Sequence, residues 1–437
     1  MNRFSPAQNF TPAIVDCSRP SDVPGWALVA VLMAAPLAFG AVQPGAWAGM
    51  SIAIVLLVAA WAIQRAQAGS LTVSWSALFI PIIMVLGLAL VQLLAGLSMD
   101  AAASRESAIK LAIYGLLFFI ALQFFSAASP RSWQRVALAV TVYAFALALF
   151  AILQFFASPG LLYGIIQPRW GGYIFGPYVS HNNYAGLMEM LIPLGVALAL
   201  TLRPRHPARP LVLFAVLITV VSVLLSGSRG GIIALLAECA LLMAVVFGAQ
   251  PAAPARNRTL ISAFSVILLA GASFFWLDPG GVWQRWEQLA DSRDLTANMR
   301  ARVSADTLRM ARDHWAHGIG LGAFAAAYPA YQTVITDDVI DYAHNDYAQF
   351  LAEGGAAAAV LILISLLLFF RLAFGRPRQR LGQPTGWLQM GAAVGVCGVL
   401  VHSLLDFNLH IPANAAWFAF CAALATVRVH AAQEICR

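Results

Sequence analysis

Residues 337–370 read DDVIDYAHNDYAQFLAEGGAAAAVLILISLLLFF. The first part is polar and the remainder is almost wholly apolar, so a hydrophilic segment becomes a membrane-length helix within a few residues. Apolar runs of ~20 residues are long enough to cross a bilayer. At the junction stand His344, Asn345 and Asp346, where a helix N-terminus leaves free N–H groups and a partial positive charge. A histidine in that place can act as a base near neutral pH, and the helix start can hold an anion. A plainer reading of the same residues makes Asn345 or Asp346 an N-cap and His344 an interfacial side chain.

The rest of the chain shares the character of this stretch. Of 437 residues, 61% are hydrophobic and 10% charged, against ~25% charged in soluble domains. Apolar runs fall near 25–42, 45–63, 77–97, 107–125, 133–157, 183–202, 210–226, 230–248, 259–277, 346–370, 387–405 and 412–429. The expectation is an all-α polytopic membrane protein of about twelve transmembrane helices with one long external loop that itself contains helices. The chain then divides into a cytoplasmic segment 1–24, nine spans over 25–277, a loop domain at 278–345, three spans over 346–431 and a tail at 432–437. The first span reads as an uncleaved anchor, because a second apolar run follows it at once.

Basic residues set the orientation. With both termini inside, sixteen of the 26 Lys and Arg lie on the cytoplasmic side, Arg203, Arg205, Arg376 and Arg378 among them. Of the ten outside, six sit in the long 278–345 segment, which the positive-inside rule exempts, leaving Arg105, Lys110, Arg169 and Arg229. The net charge of +7 thus belongs mainly to inner loops and gives no reason to expect nucleic acid. Five cysteines, at 17, 239, 397, 421 and 436, form no disulfide or zinc-ligand pattern. No cofactor is expected.

Polar chemistry gathers after the fifth span. The external loop 158–182 is rich in turns and aromatic residues, and Trp170, Tyr173, Phe175 and Tyr178 suit a lipid interface. It ends in His181-Asn182-Asn183-Tyr184-Ala185, which echoes His344-Asn345-Asp346-Tyr347-Ala348. Each opens a helix with a carboxylate further in, Glu189 and Glu353. The echo suggests two helix starts facing one cavity, with His181, Asn182, Asn345, Asp346 and Glu353 lining it; caps alone also favour such residues. Between spans seven and eight, Ser226-Gly227-Ser228-Arg229-Gly230-Gly231 combines a membrane-depth arginine with close backbone N–H groups, which suits an anion or a snorkelling Arg. In 295–317 the spacing of Leu295, Met299, Val303, Leu308, Ala311 and Trp315 predicts an amphipathic helix bearing Arg300, Arg302, Arg309 and Arg312. His402 to His410 forms one more polar cluster.

The outer side therefore collects histidines, arginines and helix starts. No acid pair at glycosidase spacing, no Ser-His-Asp grouping and no metal triad is evident from spacing. Bases beside cationic anchors fit the activation of a hydroxyl while a phosphate-bearing substrate is held.

Three motifs carry a family resemblance. Ser226-Gly-Ser-Arg229-Gly, the Arg300 to Gly322 segment closing in Asp-His-Trp-Ala-His-Gly-Ile-Gly-Leu-Gly-Ala-Phe, and His344-Asn-Asp-Tyr with Ala-Glu353-Gly-Gly resemble the O-antigen ligase and O-antigen polymerase superfamily over about 160–355. The resemblance implies a metal-independent glycosyltransferase of the membrane-embedded C type. It would move a glycan from undecaprenyl diphosphate to an acceptor, lipid A–core sugar or another lipid-linked glycan, on the periplasmic face of the inner membrane. Matched by position, His344 corresponds to the family's essential histidine, Arg229 to the arginine after the seventh span, and Arg300 to the loop-helix arginine, with Arg302 as its two-residue alternative. Trp315-Ala316 departs from the family's usual Pro and small apolar residue. The ligase is the favoured reading and the polymerase its alternative. A small-anion transporter is the reading from another class, and polar residues gathered at the outer boundary argue against it.

Overall fold

A computed structural model describes residues 23–69, 71–168, 173–249, 295–336 and 339–429. The expected span at 259–277, both chain ends, Arg169 and Trp170 lie outside the described residues. Each of the other eleven apolar runs is a helix. They are α1 (Val23–Leu37), α2 (Pro44–Gln67), α3 (Phe79–Leu94), α4 (Ala101–Ala127), α5 (Pro130–Ala157), α6 (His181–Thr201), α7 (Ala208–Ser226) and α8 (Arg229–Ala249). The loop helix α9 spans Leu295–Asp313, and α10 (Asp346–Phe374), α11 (Gly386–His402) and α12 (Pro412–Thr426) complete the bundle. Seven of these are long and apolar enough to cross a membrane; α1, α3 and α11 are shorter apolar helices. The protein is an all-α polytopic membrane protein, with no strand among the described residues.

Helix α6 is the axis. Inside the bundle 83% of its apolar window is buried, against 17% for α2. It packs chiefly on α11 and α7. Between helices in lipid there is little hydrophobic gain, so close backbone approach supplies the contact. Gly391 and Gly395 of α11 provide it: a Cβ at 391 would lie 2.5 Å from Pro193 O, and one at 395 would lie 2.9 Å from Met190 Cα.

The loop segment builds a small core of its own from Val303, Met310, Ile319, Phe324, Tyr328 and Ala343, joined to Ala352 of α10. Met299, Val303 and Ala311 pack on this core as expected, whereas Leu308 and Trp315 are 52% and 62% exposed. The helix ends at Asp313, so the periodicity does not extend to Trp315. The inward stripe runs through Val303, Asp306, Thr307 and Met310. Asp306 accepts from Thr333 N at 2.9 Å and Tyr328 Oη at 3.2 Å and pairs with Arg309. Burial alone would raise its pKa, but the bonds from Thr333 and Arg309 hold the carboxyl below its ordinary value.

Two further expectations shift. Phe175 and Tyr178 are buried in the bundle, with Tyr178 Oη donating to Asn414 Oδ1 at 2.8 Å, and do not sit at the lipid interface. And α10 is broken at Gly355, whose φ of 59° and ψ of −146° suit glycine alone. The break frees carbonyls that need partners. Ile319 N bonds Ala352 O at 3.0 Å, Gly320 N bonds Glu353 O at 3.1 Å, and Gln92 Nε2 bonds Glu353 O at 2.8 Å. The glycine-rich turn after α9 is thereby locked into the membrane bundle, which fixes where Arg300 and His344 stand.

Candidate active site

The starts of α6 and α10 meet around one carboxylate, and the start of α8 packs on the Glu189–His402 pair beside it. Helices α6, α8 and α10 begin at His181, Arg229 and Asp346, and the α11–α12 connector brings Asp406 to the first and last of them. Asp406 is almost fully buried, with 3% of its side chain exposed. Its Oδ1 lies 3.2 Å from His344 Nδ1, and its Oδ2 lies 3.4 Å from an Arg300 guanidinium nitrogen and accepts from Asn182 Nδ2. Burial works against the charge on Asp406, but the His344 hydrogen bond and the Arg300 guanidinium outweigh it and hold the carboxyl well below the usual carboxylate range. It is ionised, and so can only accept. In the neutral imidazole of His344 the proton then sits on Nδ1, facing Asp406, and Nε2 carries the lone pair.

The local sequence explains the pose. Asn345 is extended, and its Oδ1 accepts Ala348 N at 3.0 Å as the N-cap of α10. The cap is therefore Asn345, and His344 is left for other contacts. His344 takes a φ of 51°, a left-handed conformation uncommon outside glycine. Strain of that kind persists only where the surroundings impose it. Here Asp406 grips one nitrogen and the Phe407 ring meets the imidazole edge to face at 4.9 Å. The ring remains 26% exposed, so a substrate can reach it.

Asp346 is tied back into the same connector. Its backbone N donates to Ser403 O at 2.9 Å, and its carboxylate accepts from Ser403 Oγ at 2.7 Å. His410 Nδ1 lies 2.8 Å from its Oδ1. Below this layer Glu189 and His402 pair at 2.7 Å, each with 1% or less of its side chain exposed. The pair abuts the start of α8, where a Cβ at Gly231 would lie 3.3 Å from Glu189 Oε1. Ser228 caps that helix by accepting Gly231 N at 3.1 Å, and Arg229 stands half-buried beside it.

Of the residues expected at the site, His344, Arg300 and Asn182 meet at Asp406. His181 joins the group through the α7 end, with its Nδ1 2.9 Å from Ser226 O and Tyr173 packed on its ring. The two loop arginines separate: Arg300 reaches Asp406, whereas Arg302 is exposed. Glu353 is buried further down α10, where Gln349 Nε2 donates to it at 3.0 Å, away from His181 and Asn182. The sequence reading missed Asp406 as the hub and the Glu189–His402 pair beneath it. A four-residue rhythm, His402, Asp406 and His410, was the available signal.

Residues 214–363, about a third of the chain, match a family model described as O-antigen ligase. The matched stretch holds Arg229, Arg300, His344 and Asp346, while Asp406 and Asn182 lie outside it. No curated protein matches the chain. The match supports the O-antigen ligase superfamily and, with it, a glycan-transfer role of the ligase or polymerase kind.

Proposed function

We propose that the protein is an O-antigen ligase of the inner membrane. It moves a glycan from undecaprenyl diphosphate to a hydroxyl of lipid A–core oligosaccharide at the periplasmic face, without a metal. The observation that carries this is the buried Asp406 held between His344 and Arg300. Asp406 fixes the tautomer in which Nε2 of His344 accepts the proton of the acceptor hydroxyl as its oxygen bonds to the anomeric carbon. The bond from that carbon to the diphosphate oxygen breaks, and the leaving group keeps the electron pair. Arg229 and Arg300 supply counter-charge for it, through charge-assisted hydrogen bonds worth several kcal/mol in a dry site. Arg302, being exposed, is left as a solvated charge.

The polymerase reading uses the same chemistry with a second lipid-linked glycan as acceptor. Transport is disfavoured by a specific contact. A broken helix is common in transporters, but the carbonyls freed at Gly355 are taken up by Ile319, Gly320 and Gln92 and do not line an ion path.

The deciding experiment uses the full chain in lipid nanodiscs with a lipid-linked donor and an acceptor. His344→Ala should keep the melting behaviour and donor binding of the wild type yet show almost no transfer, while His181→Ala is milder. Wild-type transfer by His344→Ala would overturn the mechanism. Lipopolysaccharide from a deletion strain separates the two acceptors: loss of all repeat units supports the ligase, and retention of a single unit supports the polymerase.

A further inference from the structure

Helices α8 and α10 both begin at the His344 end of the bundle, and their other ends enclose a cavity of about 610 Å³. Val245, Gly248, Phe374, Arg376, Arg378 and Gln379 border it. Helix length sets its depth. Helix α8 has 21 residues from Arg229; at about 1.5 Å per residue it is ~31 Å long, close to the ~30 Å hydrocarbon layer. With Arg229 at one boundary, Gly248 falls at the other, where lipid phosphates lie. Phe374 stacks on Phe370 at 5.8 Å, and Phe370 is 44% exposed, so apolar surface continues from the cavity onto the outer face of α10.

The charges select the ligand. Arg378 Nε donates to Gly248 O at 3.0 Å, a contact that holds the guanidinium in place and leaves its charge without a counter-ion. Arg376 is exposed, and its side chain has no hydrogen bond or ion pair among the described residues. The lining contains no carboxylate, and the sequence has no Asp or Glu from 239 to 277, from 354 to 405 or from 407 to 433. The carbonyl ends of α8 and α10 carry about half a negative charge each, which the pair of guanidinium groups outweighs. Guanidinium forks match phosphate oxygens. The ammonium of a zwitterionic head group would instead bring one more cation, with no acid to receive it.

We propose that this cavity binds the phosphate head group of one anionic phospholipid, at the end of the bundle opposite the reacting histidine. Basic pockets between membrane helices recognise lipid head groups by this chemistry. The binding is independent of the glycan-transfer reading above. Arg203 and Arg205, exposed in the α6–α7 connector at the same end, line no part of the cavity, so they separate a built site from a merely basic surface.

The test is native mass spectrometry of the full chain in detergent, stripped of lipid and then titrated with equal phosphatidylglycerol and phosphatidylcholine. One phosphatidylglycerol per chain should be retained, with a preference over phosphatidylcholine of ~tenfold or more. Arg376→Gln with Arg378→Gln should weaken that binding ~30-fold, the effect of removing two arginines beside a lipid phosphate. Gly248→Leu should also weaken it by filling the cavity, since a Cβ there meets nothing within 4 Å and leucine suits a helix better than glycine. Arg203→Gln with Arg205→Gln should bind as the wild type does. Excess inorganic phosphate should leave the lipid in place, because it has no acyl chain for the apolar lining to hold. Equal loss in the two arginine pairs, no preference over phosphatidylcholine, or undiminished binding by Gly248→Leu overturns the site. Displacement by inorganic phosphate also overturns it, since that describes a free-anion site and not a lipid site.

Discussion

His410 Nδ1 lies 2.8 Å from Asp346 Oδ1, and this contact runs opposite to the one between His344 and Asp406. Each of two segments, 344–346 and 406–410, lends the other a histidine and receives one on its carboxylate. Neither segment can shift alone without leaving a buried carboxylate short of a partner, a loss of ~1–3 kcal/mol or more for a charged group. The crossed pairs thus hold the loop histidine against the bundle as firmly as a helix would.

Asp406→Asn should separate tautomer control from folding. Asparagine keeps the shape but offers an NH₂ that can turn the imidazole over, placing the proton on Nε2. Transfer should fall ~10²–10⁴-fold, the range typical for losing a general base, while donor binding persists. Single-turnover transfer beside a melting curve checks this, and a near-wild-type rate in a folded Asp406→Asn would refute it.

The loop arginines should behave differently. Arg300→Ala removes a group within 3.4 Å of Asp406 and should lower both donor affinity and rate. Arg300→Lys should rescue only partly, since a point charge cannot replace a planar fork. Arg302→Ala, at an exposed position, should stay within about twofold of the wild type, because exposed charges contribute little. Donor titrations on the three variants decide; equal loss in Arg300→Ala and Arg302→Ala contradicts the assignment.

The His410–Asp346 contact should make stability depend on pH. Burial disfavours the charged imidazole, but the hydrogen bond and charge of Asp346, with Glu353 nearby, outweigh this and the repulsion of Lys110, so the His410 pKa is raised. A raised folded pKa gives stability that is complete below the unfolded value of ~6.5 and is lost as pH rises through the folded value. His410→Gln should therefore melt well below the wild type at pH 6, and the gap should close on going to pH 9. A gap that widens with pH would show the sign to be wrong.

Glycine substitutions should sort by backbone. Gly355→Ala puts a Cβ 2.6 Å from Trp315 O at a φ of 59°, and a strained residue of this kind costs ~1–3 kcal/mol before the clash is counted. Gly87→Ala, in α3 with nothing within 4 Å, should be neutral or slightly stabilising. Fluorescence-detected size exclusion after heating compares them, and a Gly355→Ala protein as robust as Gly87→Ala would argue against the break in α10.

We propose that the His344 end faces the periplasm, because sixteen basic residues fall on one side against four in short loops on the other. A cysteine at the exposed Ala326 should react with a membrane-impermeant maleimide in spheroplasts, and Arg378→Cys should not. The reverse pattern would place the His344 end in the cytoplasm and end the periplasmic reading.

The amino-acid sequence by itself determined that the chain is an all-α polytopic membrane protein and that His344 stands at a helix start. Hydrophobic run length, basic-residue bias and capping residues are local properties, and each is written within about twenty positions. It also marked Arg229, Arg300 and His344 as polar residues where apolar ones abound. Only the tertiary structure decided that Asp406, 62 residues beyond His344, is the common partner of Arg300 and His344. Nothing in a single chain's local pattern states which of two polar clusters will face each other across a bundle. The choice between Arg300 and Arg302 likewise waited on the rotation of α9, which Asp306 and the locked glycine turn set together. The break at Gly355 was equally hidden, because a glycine pair in an apolar run reads the same whether the helix continues or bends. Its geometry depends on Gln92 and the turn after α9 arriving from distant parts of the chain to satisfy the carbonyls it frees.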